Sequence, residues 1–146
     1  MIDKKWIGYE QPASELVLER GRMRAFAVAI GEEDPIYTDV ETARAAGYSD
    51  LPSLPTFLFA VELDSGTQMS LVTQMGIPLS KLLHGEQGFT WHLPACAGDV
   101  ITVRSRVSDI YDKRNGALEF VATRSEARNQ RGELVAELRN VLVCRH

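Results

Sequence analysis

The sequence predicts an α+β fold in which helices cover one face of a long antiparallel sheet. Three observations support this prediction. Helical spacing of apolar residues is confined to the first half of the chain, the second half alternates apolar and polar residues, and short turn signals separate its strands. At 146 residues the chain has the length of one domain, so we expect residues 1–146 to fold as a single domain.

The predicted elements follow one another without repeats or linkers. They are a short strand at 14–18, helices at 19–30 and 40–46, a buried helix within 57–75, and strands at 87–91, 100–111, 118–127 and 134–143.

Turn and cap residues set the limits of the first two helices. Gly31 is expected to end the first helix, and Asp39 or Thr38 can cap the second. Pro35 excludes a continuing helix at the residue before it, so Asp34-Pro35 predicts a turn in which the Asp34 side chain caps local N–H groups.

Two closely spaced prolines, Pro52 and Pro55, fix an extended segment before the apolar stretch that begins at Phe57. Mixed helical spacing continues to Met75, and part of this region is interpreted as one buried helix.

The strands of the second half are separated by turns with strong sequence signals. Asn115-Gly116 predicts a hairpin, and Gly132 lies in a second turn. Along the strand at 100–111 the two faces differ in composition. One face carries Ile101, Val103, Ser105 and Val107, and the other carries Arg104, Arg106 and Ser108.

Composition excludes several function classes. A net charge of −4 argues against nucleic acid as a partner, and no apolar run is long enough to span a membrane. The N-terminus has no apolar stretch behind its lysines, so we expect no signal peptide and a cytoplasmic location. Cys96 and Cys144 are isolated, which favours reduced thiols, and the three dispersed histidines predict no metal site and no cofactor.

The stretch from Phe26 to Asp39 resembles the signature of the MaoC-like, (R)-specific enoyl hydratase family, whose pattern contains Gly-Asp-x-Asn-Pro-Ile-His. Other matching positions extend this resemblance over residues 5 to 144. They are Ala43, Gly47 and Tyr48, Leu54-Pro55-Thr56-Phe57 at the position of an apolar residue and His-Gly, and the segments 84–94 and 98–100. The resemblance is strongest to the N-terminal MaoC-like or FAS1-like dehydratase branch. That branch includes the non-catalytic partner subunit of mycobacterial hydroxyacyl dehydratase heterodimers.

The resemblance implies a hot-dog fold, in which a long antiparallel sheet wraps around one central helix. It also implies an acyl-CoA or acyl-ACP thioester as ligand. Two such sheets usually join edge to edge, so we expect a homodimer or a heterodimer with a related hot-dog chain.

In the resembling enzymes an Asp and a His five residues apart activate water, and a backbone N–H at the start of the central helix stabilises the thioester oxygen. The corresponding positions here hold Glu32 and Tyr37, with Asp34 at the Asn position and the backbone donor near Thr56. Glu32 is one methylene longer than Asp, and a tyrosine with a reference pKa near 10 is a poor base at neutral pH. The pair is therefore not intact.

These positions define the candidate site, together with a fourth, His84, which precedes Gly85 and Glu86. The candidate catalytic residues are Glu32, Asp34, Tyr37 and His84, and the candidate substrate-binding residues are Pro55, Thr56 and Phe57. Structural roles remain open for all of them: the carboxylates as exposed turn residues, the Tyr37 ring as a packing group, and His84 as a strand residue.

Three functions remain open. The chain is an (R)-3-hydroxyacyl thioester dehydratase or enoyl hydratase with an altered acid–base pair, or a non-catalytic subunit that binds the acyl chain for a catalytic partner. A hot-dog thioesterase using Glu62 or Asp64 ranks last. Apolar residues near the central helix are candidates for an acyl tunnel, namely Phe57, Phe59, Met69 and Met75.

Overall fold

Five strands form one antiparallel sheet in the order β1-β3-β4-β5-β2. A computed structural model describes residues 1–146. The strands are β1 (Ser14–Val17), β2 (Leu82–Trp91), β3 (Val100–Lys113), β4 (Leu118–Arg128) and β5 (Leu134–Arg145). The two edges of the sheet are β1 and β2. The predicted α+β class is confirmed.

Four α-helices lie before β2 in the chain. They are α1 (Arg20–Ala29), α2 (Val40–Ala45), α3 (Phe59–Ser65) and α4 (Thr67–Gln74), with 3-10 turns at Lys4–Trp6, Pro35–Tyr37 and Leu79–Lys81. None of these helices is long and apolar enough to cross a membrane.

The predicted boundaries of α1 and α2 are confirmed to within one residue. Gly31 follows α1 with φ 74°, a left-handed conformation that glycine adopts without strain. The Oδ1 of Asp39 accepts the Thr42 N–H at 2.7 Å, so Asp39 caps α2.

The prediction of one buried helix within 57–75 is wrong. Two helices, α3 and α4, meet at Gly66, whose φ of 70° breaks the α-helical path. The first of them begins at Phe59, three residues after Thr56, where the resemblance suggested the helix start.

Every strand of the second half extends beyond its predicted limits, and three register shifts interrupt the pairing, one of them between Ala127 and Arg128 of β4. β2 begins at Leu82, because its register with β5 continues through a shift between His84 and Glu86. A second shift lies between Val107 and Asp109, where the Ser108 hydroxyl donates to the Ala122 carbonyl at 3.1 Å. The expected alternation is therefore interrupted at Ser108, and this residue does not continue the arginine face.

The two faces of the sheet have different roles. The inner face, which carries Val103, Ser125 and Leu138, packs against α1 and α3, and the outer face carries Arg104, Arg106, Arg124 and Arg139. A second apolar cluster forms between the sheet and α4, with Leu71 and Val72 buried against Val121. The buried α3 is therefore the central helix of the sheet.

Candidate functional site

The turn between α1 and α2 uses both of its candidate carboxylates locally. Glu32 Oε1 accepts the backbone N–H of Asp34 at 2.9 Å, and Asp34 Oδ1 accepts that of Ile36 at 3.0 Å. The capping role predicted for the Asp34 side chain is thus present. Neither carboxylate is hydrogen-bonded to a histidine or to Tyr37, so this chain holds no acid–histidine pair here.

Tyr37 is half-buried at the end of the same turn, where it packs against the core, as Phe26 and Tyr48 also do. Burial raises the pKa of Tyr37, and the nearby Glu32 and Asp34 carboxylates raise it further. The phenol therefore stays protonated at neutral pH. It can donate a hydrogen bond to a ligand but cannot act as a base.

The segment before α3 offers a free backbone donor. The Thr56 N–H makes no hydrogen bond within the chain, and the Thr56 side chain is exposed. Its neighbours hold the segment in place: the Pro55 carbonyl accepts from Trp91 Nε1 at 3.2 Å, and the buried Phe57 ring meets Phe26 edge-on at 5.3 Å. The donor thus lies in the turn preceding the central helix.

His84 lies on the edge strand β2. Its ring stacks on Phe59 at the start of α3, with centroids 5.3 Å apart and planes inclined by 4°. No hydrogen bond or ion pair joins His84 to Glu32, Asp34 or Tyr37. The structure therefore gathers Glu32, Asp34 and Tyr37 around one turn and leaves His84 at the sheet edge.

Of the two carboxylates considered for a thioesterase, Glu62 is buried under the sheet at 4% exposure, where the Ser125 hydroxyl donates to its Oε1 at 2.9 Å. Burial raises the pKa of Glu62, and the hydroxyls of Ser125 and Ser105 oppose the rise in part. Asp64, two residues further along α3, pairs with Arg22 at the surface.

Two buried amides on the inner face were not among the predicted site residues. Gln87 on β2 and Asn140 on β5 are direct Cα partners, and the polar atoms of both side chains are inaccessible to solvent and have no hydrogen-bond partner. Unsatisfied buried amides are costly and rare. Polar residues at inward-facing strand positions were the signal in the sequence that could have identified them.

The fold and the site can be compared with known proteins. The family model described as the FAS1-like, dehydratase domain region matches residues 5–138. The chain belongs to this family. Over 145 residues it is 34% identical to a UPF0336 protein of Streptomyces avermitilis, covering 99% of this chain and 95% of that protein.

Solved structures of dehydratases and hydratases share the fold. A HadBC (3R-hydroxyacyl-ACP dehydratase) complex of Mycobacterium tuberculosis contains a chain with TM-score 0.81 and 26% identity, matched over 98% of this chain and 99% of that one. An R-hydratase from Pseudomonas aeruginosa matches with TM-score 0.70 and 16% identity over 96% of this chain and 82% of its own. The expected MaoC-like hot-dog fold is confirmed.

Proposed function

We propose that this chain binds an acyl thioester as the substrate-holding subunit of a 3-hydroxyacyl-thioester dehydratase, and that a related hot-dog chain supplies the catalytic acid and histidine. The observation that carries the proposal is the state of the Glu32 turn. Both carboxylates accept backbone N–H groups of their own turn, and the raised pKa keeps Tyr37 protonated, so the turn holds no acid–histidine pair for proton transfer.

The reaction defines what each subunit has to supply. A base removes the α-proton, the 3-hydroxyl leaves as water after accepting a proton, and negative charge develops on the thioester oxygen. The free N–H of Thr56 suits that oxygen, and the Tyr37 hydroxyl can donate to it or to the leaving water. This chain then provides binding and charge stabilisation, and its partner provides proton transfer.

A second candidate is an autonomous hydratase that uses Glu32, Asp34, Tyr37 and His84. One observation favours it: Glu32 lies close enough to Tyr37 for its charge to raise the pKa of the phenol. A ligand that displaced the Glu32 carboxylate from the Asp34 N–H would free a base beside a donor.

An assay with crotonyl-CoA separates the two candidates. We expect the purified chain to leave the enoyl absorbance unchanged even at high protein concentration. A complex with a related chain that carries an intact Gly-Asp-x-Asn-Pro-x-His motif should hydrate the substrate. Hydration by the chain alone, lost in Glu32→Gln, would overturn the subunit assignment in favour of the autonomous enzyme.

The role of the Thr56 N–H can be tested in the same complex. Thr56→Pro removes the donor, and we expect kcat to fall about 100-fold, the usual effect of losing one donor to a developing oxyanion. Thr56→Ala is the matched control, because it removes the side chain and keeps the N–H, and it should retain activity. Equal rates for the proline and alanine variants, with both complexes intact by gel filtration, would contradict this role.

A further inference from the structure

The outer face of the sheet carries a row of arginines in register. Arg106 on β3 is the Cα partner of Arg124 on β4, which is in turn the Cα partner of Arg139 on β5. Arg104 lies two residues before Arg106, on the same face of β3. Direct partners across an antiparallel pair have Cβ atoms about 5 Å apart, so these guanidinium groups share one small area.

Most of the arginines in this area have no neutralising partner. Arg104, Arg106 and Arg124 form no ion pair, although the chain as a whole is acidic, with a net charge of −4. Arg139 is paired with Glu86. Like charges directly opposite in a sheet are destabilising, so this arrangement costs stability in the free protein.

The acids around the row are largely engaged elsewhere. Glu126 is the direct Cα partner of Arg104 but pairs with Arg128 at 2.8 Å, and Glu137 binds His92 at 2.8 Å. Glu10, bridged to Arg106 through the backbone, is the remaining acid and forms no ion pair. Four arginines and three glutamates line the groove, so its side chains carry one net positive charge.

The arginines line a polar groove of about 810 Å³. Its volume is that of an ordinary small-ligand site. It lies on the face of the sheet opposite α3, so it is separate from the turn that carries Glu32 and Tyr37.

We propose that this groove binds a small, multiply charged oxyanion, a phosphate or carboxylate compound, on Arg104, Arg106 and Arg124. Guanidinium groups bind such oxyanions through paired, charge-assisted hydrogen bonds, and several of them side by side suit a ligand with more than one negative charge. The bound anion also removes the repulsion between the arginines. This inference does not depend on the proposed function.

Calorimetric titration of the full chain at low ionic strength, with inorganic pyrophosphate and with citrate, tests the inference and tells the two oxyanion types apart. We expect at least one probe to bind and to raise Tm. The double variant Arg106→Gln/Arg124→Gln should bind at least about tenfold more weakly, since charge-assisted hydrogen bonds are lost, yet melt no lower than the wild type without ligand. Arg145→Gln is the matched control: Arg145 is also exposed and unpaired on the outer face of β5, but lies about 20 Å along the strand from Arg139.

Three results would overturn the site. In the first, neither probe binds the wild type at millimolar concentration. In the second, the double variant binds a probe as tightly as the wild type does. In the third result, neither probe binds, the wild type self-associates in a concentration-dependent way, and the double substitution abolishes that association. A second copy of the chain would then be the occupant of the groove.

Discussion

At the scale of single residues, two buried carboxylates show how neighbours decide the state of an acid. Asp50 accepts two hydrogen bonds from Arg20. These bonds are the main reason why the pKa of Asp50 falls to about 2. Glu62 has no cation beside it, only the hydroxyls of Ser125 and Ser105, so burial dominates and its pKa rises. The first acid is charged in the folded protein at all ordinary pH values, and the second keeps its proton to a higher pH than an exposed glutamate does.

The raised pKa of Glu62 predicts how stability depends on pH. Glu62 holds its proton more tightly in the folded state than in the unfolded state, where a glutamate has a pKa of about 4.3. The contribution of Glu62 is therefore full below that pH and is lost as pH rises through the folded pKa. Glu62→Gln, which stays neutral, should raise Tm at about pH 8 and leave it nearly unchanged at about pH 4.

Thermal melts of both proteins across this pH range provide the measurement. Glu15→Gln is the control, because Glu15 is exposed on β1 and forms no ion pair, and its Tm difference from the wild type should not vary in this way. If the difference in Tm between Glu62→Gln and the wild type is the same at every pH, the Glu62 carboxyl is not the group whose titration changes the stability.

At the scale of elements, the break between α3 and α4 depends on one glycine. Gly66 has φ 70°, and a Cβ built there meets no atom within 4 Å, so the cost of a side chain is conformational and not steric. Gly66→Ala should lower the free energy of unfolding by about 1 kcal/mol. Gly21→Ala in α1, where a Cβ is equally free of contacts and φ is not positive, should raise it by about 0.5–1 kcal/mol.

Urea denaturation of the two variants measures both changes. A stabilising effect of Gly66→Ala would mean that α3 and α4 can join into the single helix that the sequence pattern favours. If Gly66→Ala lowers the free energy of unfolding and Gly21→Ala raises it, the break between the helices is caused by the backbone conformation at residue 66.

The elements that the sequence predicts well are those with local signals. Alternation, Asn115-Gly116 and the cap at Asp39 all act within a few residues, and each is present in the structure. The break at Gly66 was missed because apolar spacing continues through it. The bulge at Ser108 was missed because its hydrogen bond to Ala122 joins two strands.

The candidate site shows the same limit. The sequence places Glu32, Asp34 and Tyr37 on one turn, as the structure does, because they are close along the chain. It cannot show that Ser125 binds Glu62, because 63 residues separate them, or that His84 stacks on Phe59. Contacts of this kind depend on strand order, which local patterns do not encode.

At the scale of the whole molecule, β2 leaves the long edge of the sheet open. The His92 N–H donates to the Val135 carbonyl at 2.8 Å, and inter-strand bonds alternate along an antiparallel pair. The N–H groups of Gly88 and Thr90 therefore point to β5, and that of Gln87 points to the open edge. An open edge of this length invites pairing with a strand of another chain.

Gln87→Pro tests whether the chain pairs along this edge with its partner, identical or related. The substitution removes an outward N–H and no bond to β5, so we expect the complex to dissociate at concentrations where the wild type is assembled, while the separated chain remains folded. Analytical ultracentrifugation measures the assembly, and circular dichroism checks the fold. Gln87→Ala keeps the N–H and removes the same side chain, so it should assemble like the wild type. Unchanged assembly of Gln87→Pro would locate the interface elsewhere, whereas loss in both variants would assign the contact to the Gln87 amide side chain instead of the strand edge.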